Sequence, residues 1–176
     1  MNLPPTGRGR VVFPLTTARG SVRILAFVAL VWVSVLAVAA AGAASSQRWL
    51  LSTVVYSIGQ FICHQRPERS FRWASTPWPV CARCTGIYAG AAFSALLVLL
   101  VVRPSALPPA RARLWTAAAC APAFASLLYE WTSGITPANL VRAATGFVLG
   151  GVMLWIVLAF MNEPTRSTAV ASRPLR

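Results

Sequence analysis

Thr85-Gly86-Ile87-Tyr88-Ala89-Gly90-Ala91-Ala92-Phe93-Ser94-Ala95-Leu96-Leu97-Val98-Leu99-Leu100-Val101-Val102 is the stretch that decides the fold. It holds no charged side chain and ends at Arg103-Pro104. A helix rising about 1.5 Å per residue needs about 17–25 apolar residues to cross ~30 Å of hydrocarbon, so this run reads as a membrane span. Its glycines matter as much as its grease. Small residues four apart let two helix backbones approach closely in lipid, where packing drives association. The same pattern recurs as Thr145-Gly146-Phe147-Val148-Leu149-Gly150, again just after an arginine, which predicts that the two helices touch.

Working outward, three further apolar runs fit a crossing: Val22 to Ala44, Leu114 to Trp131 and Leu140 to Met161. The first could be read as a signal peptide, since small residues from Ala39 to Ala44 follow a basic start. Its apolar length exceeds the roughly 7–15 residues of a signal core, which favours a retained span. Trp49 to Ile62 is apolar but short and carries Ser52, Thr53, Ser57 and Gln60, which suits an interfacial or re-entrant helix. The expected fold is all-α, a polytopic membrane bundle of four transmembrane helices plus that short helix. Residues 1–20 read as a disordered basic tail, 21–162 as a single membrane domain and 163–176 as a second disordered tail.

Composition agrees with a membrane class. Hydrophobic residues make up 57% of the chain and charged residues 11%, against roughly 25% charged in soluble domains. The net charge of +13 comes from 16 basic residues, all arginine, set against Glu68, Glu130 and Glu163. Nucleic-acid binding calls for a basic face on a soluble fold, whereas these arginines cluster between apolar runs, so no nucleic acid is expected as a partner. They read as topology signals. With both termini cytoplasmic, the inner segments hold Arg8, Arg10, Arg19 and Arg23, then Arg103, Arg111 and Arg113, then Arg166, Arg173 and Arg176, as the positive-inside tendency requires. The first outer loop breaks that tendency with Arg48, Arg66, Arg69, Arg72 and Arg83, which therefore need another role.

That loop holds the chemistry. Cys63-His64-Gln65-Arg66-Pro67-Glu68-Arg69-Ser70-Phe71 is answered by Pro79-Val80-Cys81-Ala82-Arg83-Cys84-Thr85-Gly86, which gathers three of the four cysteines and the lone histidine. Cys81 and Cys84 have the two-residue spacing that lets both thiolates reach one ion. Cys63 and His64 would complete a tetrahedral set suited to Zn2+, with iron a weaker fit. Haem attachment is not indicated, because Cys84 is followed by Thr85 rather than histidine. Two other readings stay open. A CxxC at a helix N-terminus beside Arg83 also suits thiol-disulfide exchange, since dipole and charge favour the thiolate. The third reading is a non-enzymatic scaffold with a structural disulfide. Cys120 reads as a small core residue.

A second constellation lies between the last two spans. Asn139, Arg142 and Gly146 recur at i, i+3 and i+7 on one helical face, and Glu130 ends the helix before them. Intramembrane charges pair or line a cavity, so a Glu130–Arg142 ion pair is the simplest expectation. With four crossings this connection emerges on the same outer face as the cysteine loop. The expected pocket therefore combines Cys63, His64, Cys81 and Cys84 with Arg66, Arg69, Arg83, Glu130, Asn139 and Arg142. Glu130 and Arg142 are its candidate catalytic groups, and the arginines suit an anionic ligand or lipid headgroup. No glycine-rich nucleotide loop and no Ser/His/Asp arrangement is present, which argues against kinase and serine-hydrolase chemistry.

The run CHQRPERSF, then PVCARCTGIYAG, then an acidic residue followed by Asn, Arg and Thr-Gly resembles a membrane family known as domain of unknown function 2085. The resemblance covers roughly Tyr56 to Gly151. In that family the acidic position commonly sits in an Asp-Gly turn, where this chain has Glu130-Trp131. The resemblance implies a membrane protein and carries no established activity.

Overall fold

The computed structural model describes residues 15–45, 49–101, 104, 105 and 107–161. Helices dominate: α1 (Leu15–Ser45), α2 (Trp49–Ile62), α3 (Ala82–Leu100), α4 (Pro109–Ser133) and α5 (Asn139–Met161). Between α2 and α3 lie a 3-10 turn at Pro67–Arg69 and a hairpin of β1 (Arg72–Trp73) and β2 (Thr76–Pro77), with Arg72 opposite Pro77 and Trp73 opposite Thr76. Helix α1 begins at Leu15, inside the segment expected as a tail. The rest of that tail, the C-terminal tail, Arg48 and Arg103 lie outside the described residues.

Among the described residues three helices are long and apolar enough to cross a membrane: Gly20–Ser45 within α1, α3 and α5. The expected fourth, Leu114 to Trp131, lies within α4 and does not reach the same apolar content. Six of its eighteen residues are weakly apolar alanines, and Thr116, Pro122, Ser126 and Glu130 dilute it further. Two prolines open α4 at Pro108 and Pro109, where a missing N–H costs nothing, and Gly134 closes it at φ 68 by donating its N–H to the Glu130 carbonyl. Helix α2 is the expected short helix. Ser52, Val55, Gly59 and Cys63 follow one another along its buried side, and the Ser52 hydroxyl donates to the Ala39 carbonyl of α1.

The interior is built from small side chains. Helix α3 buries Ala82, Gly86, Gly90, Ala92, Ser94 and Ala95, while Leu96, Leu99 and Leu100 face outward. Large apolar side chains lose nothing by facing lipid tails, so they need not be buried, and close packing inside falls to the small residues.

The α3–α5 seam is the clearest case. Gly86 lies against the Ala143 carbonyl, Gly90 against Phe147, Gly146 against Arg83 and Gly150 against Ile87. Numbers rise together along both helices, so α3 and α5 run parallel, as the repeated Thr-Gly pattern predicts for a touching pair. The Ser94 hydroxyl then donates to the Gly151 carbonyl at 2.8 Å, and the rings of Phe93 and Phe147 meet with centroids 5.6 Å apart.

A Cβ at Gly150 would fall well inside 3.0 Å of the Ile87 carbonyl oxygen, whereas one at Gly20 meets nothing within 4 Å. Gly150→Ala should therefore destabilise the protein by about 1–3 kcal/mol. Gly20→Ala should change little. Thermal unfolding in detergent checks both, and equal melting temperatures for the two variants would contradict the seam.

Candidate metal centre

Cys63 directly follows α2, its N–H still bonded to the Gly59 carbonyl at 2.8 Å. Cys81 is the N-cap of α3, with φ −65 and ψ 160, and Cys84 falls in the first turn. Helix α2 thus delivers one sulfur from its C-terminal end and α3 two from its N-terminal end. The three Sγ atoms lie within 4.8 Å of one another. Tetrahedral zinc–sulfur bonds of about 2.3 Å place sulfurs about 3.8 Å apart, so small adjustments suffice to close this set around one ion.

The knuckle before α3 is held by one side chain. Gln65 takes the unusual φ of 46 and folds its amide back, so that Nε2 donates to the Tyr56 and Pro79 carbonyls at 2.7 Å each. A single amide thereby ties the end of α2 to the strand entering α3. Gly59 makes room for it, since a Cβ there would meet both the Gln65 amide and the Pro79 carbonyl. The Tyr56 hydroxyl donates to the Pro77 carbonyl on the same strand. Gln65, Gly59 and Tyr56 are absent from the expected site. The legible signal was the helical spacing of Tyr56, Gly59 and Cys63, which puts all three on one side of α2.

Local electrostatics favour a thiolate at Cys63. The Cys81 N–H points at Cys63 Sγ over 3.2 Å. Hydrogen bonds from the Cys81 and Cys84 thiols, aided by backbone N–H groups of Cys81 and Gln65 and opposed by burial, hold the Cys63 thiol far below the ordinary thiol range. Leu36, Val55 and Val80 cover the sulfurs, with Trp32 and Tyr88 packed edge to face at 6.0 Å beside them. All four cysteines are free thiols.

His64 is exposed and is not one of the group that converges. Cys63 still follows the helix while the backbone turns at Gln65, so the histidine between them is carried outward. Arg66 is exposed as well. The remaining expected residues do assemble, beside the sulfurs rather than among them. Glu130 pairs with Arg69, Nη2 to Oε1 at 2.7 Å, and not with Arg142 as expected. This is a close ion pair rather than a formed hydrogen bond, because neither Glu130 oxygen has a hydrogen-bonding partner. Arg69 wins because the Pro67–Arg69 turn brings its long side chain over the end of α4. Asn139 Nδ2 donates to the Ser70 carbonyl and fixes that loop against α5. Arg83 Nη2 donates to Ser126 Oγ at 2.8 Å, one helical turn before Glu130 on α4. Arg142 is buried, and the charges acting on it are Glu130 and Cys81, which attract, and Arg83 and Arg69, which repel.

A family model described as a predicted membrane protein, domain of unknown function 2085, matches residues 63–156, more than half of the chain. The chain belongs to this family. The match to domain of unknown function 2085 starts at Cys63 and takes in Cys81, Cys84, Glu130 and Arg142, so both clusters fall inside it. An uncharacterised protein of Methanothermobacter thermautotrophicus is 41% identical over an alignment covering 26% of this chain and 55% of that protein. Another, from Methanocaldococcus jannaschii, is 39% identical over 34% of this chain and 36% of its own length. The chain thus spans about half of the first relative and about a third of the second. No solved structure matches it.

If Gln65 positions the sulfurs, Gln65→Leu should weaken metal binding about 10–100-fold, as loss of supporting contacts around a metal site generally does. His64→Ala should leave affinity within about threefold, since loss of an actual ligand costs far more. Competition against a chromophoric chelator measures both.

Proposed function

We propose that the chain is a multi-pass membrane protein carrying a zinc centre held by Cys63, Cys81 and Cys84 at the extracytoplasmic end of its bundle. One observation carries this reading: three sulfurs from two helix ends within 4.8 Å, one of them accepting a backbone N–H. Thiolates are soft ligands that select zinc, copper(I) or iron–sulfur chemistry over magnesium or calcium. Closed structural zinc sites use four protein ligands, and sites with three keep a position open for water or substrate. A metal here would supply Lewis acidity beside Arg69, Arg83 and Arg142.

Four crossings remain the best account of topology. Helices α3 and α5 are parallel and both long enough to span, so the chain between them has to return across the bilayer. At about 1.5 Å per residue, the 25 residues of α4 reach that far. Its less apolar face carries Ser126 and Glu130 toward the bundle, where polar groups are tolerated. The arginine distribution then favours cytoplasmic termini.

Anaerobically purified protein should hold about one zinc per chain, and Cys81→Ser or Cys84→Ser should remove it. Elemental analysis with thiol counting decides the matter. Metal-free protein containing a Cys81–Cys84 disulfide would replace this reading with thiol exchange.

Orientation is tested separately. Single cysteines introduced at the exposed positions Thr136 and Ser105 of a chain otherwise free of cysteine should differ in intact cells. An impermeant maleimide should label the first and spare the second, and the reverse pattern would invert the topology.

A further inference from the structure

Beside the sulfurs, charge accumulates in a way that protein contacts leave unresolved. Arg142 is only 2% exposed, yet its Nε and Nη1 are without a hydrogen-bond partner. The Nε atoms of Arg69 and Arg83 are buried and unpartnered too. Among the described residues Glu130 is the one acid paired with this group, through Arg69, so three guanidiniums face one carboxylate, an excess of two positive charges. Burying unpaired charge is costly, and buried polar groups in folded proteins nearly always have partners.

The three arginines converge from three elements. Gly146 presses against the Arg83 carbonyl, and Arg142 precedes Gly146 by one turn on the same face of α5, so Arg83 and Arg142 project from adjoining turns. Ser126 and Glu130, one turn apart on α4, anchor Arg83 and Arg69 respectively. Asn139 holds Ser70, the neighbour of Arg69, onto α5. The Arg69 side chain is 30% exposed, so an entrance lies beside it.

We propose that Arg69, Arg83 and Arg142 bind a phosphate group. Guanidinium forks match tetrahedral oxyanions, and a phosphate monoester near pH 7 carries a charge of about −1.5 to −2, which offsets the excess. A carboxylate would offset half of it. The site stands where α4 ends and α5 begins, a level at which lipid headgroups and soluble anions are both within reach. The shared chemistry is a terminal phosphate, on a lipid or free. This site does not depend on the metal centre, because its unpartnered atoms belong to other residues.

The full chain, in phosphatidylcholine nanodiscs at fixed ionic strength, tests it with two probes. Inorganic phosphate titrated into the solution should raise the melting temperature saturably if the ligand is free. If the ligand is a headgroup, nanodiscs containing phosphatidic acid should stabilise the protein while inorganic phosphate does not. In either case Arg142→Gln and Arg69→Gln should weaken the effect at least about tenfold, since each removes a charge-assisted contact. Arg111→Gln, at an exposed position on α4, should not. Should Arg142→Gln fail to fold, Arg69→Gln on the half-exposed turn carries the test. Metal content of Arg69→Gln should match the parent protein, which separates this site from the metal reading. The proposal is overturned if neither probe stabilises the protein, or if Arg69→Gln responds as the parent does.

Discussion

The near-contact of the α3 and α5 backbones governs the rest of the molecule. Four glycines, Gly86, Gly90, Gly146 and Gly150, remove the side chains that would keep the helices apart, and each meets a carbonyl of its neighbour. In lipid this is the available source of cohesion, because a leucine gains nothing by leaving one apolar medium for another. A parallel pair so joined sets both N-termini at one end. Cys81, Cys84 and Arg83 from one helix therefore share a level with Asn139 and Arg142 from the other.

Two charged neighbourhoods follow from that juxtaposition. At the sulfurs, hydrogen bonds from the Cys81 and Cys84 thiols and from backbone N–H groups favour a thiolate at Cys63, against the opposing burial under Trp32, Leu36 and Tyr88. A few residues away, buried arginines gather around one carboxylate. Arg142 responds to both, since Glu130 and Cys81 attract it while Arg83 and Arg69 repel it.

The scaffold around the sulfurs is made by hydrogen bonds to backbone. Gln65 reaches two carbonyls, Tyr56 one, and Asn139 one across the interface to Ser70. Short irregular segments near a bilayer expose carbonyls that no ladder satisfies, and side-chain amides and hydroxyls answer them. The polar residues flanking the cysteines are mostly structural ties of this kind.

Much was decided locally and could be read directly. Apolar runs of spanning length, the short α2 and the paired Thr-Gly patterns depend on composition and spacing, which the chain displays without folding. The convergence of the CxxC pair with Cys63 was legible as one cluster, because soft-metal ligation restricts the number and spacing of the sulfurs that would serve it. Other features needed the fold. His64 is adjacent to Cys63 in sequence, but the turn at Gln65 carries it outward, a consequence of backbone direction that residue order does not express. Glu130 chose Arg69 over Arg142 because loop placement, not helical register, sets which long side chain reaches it. The unpartnered nitrogens of Arg69, Arg83 and Arg142 are likewise a tertiary fact, since sequence shows how many charges a chain carries and only packing decides which of them lose water.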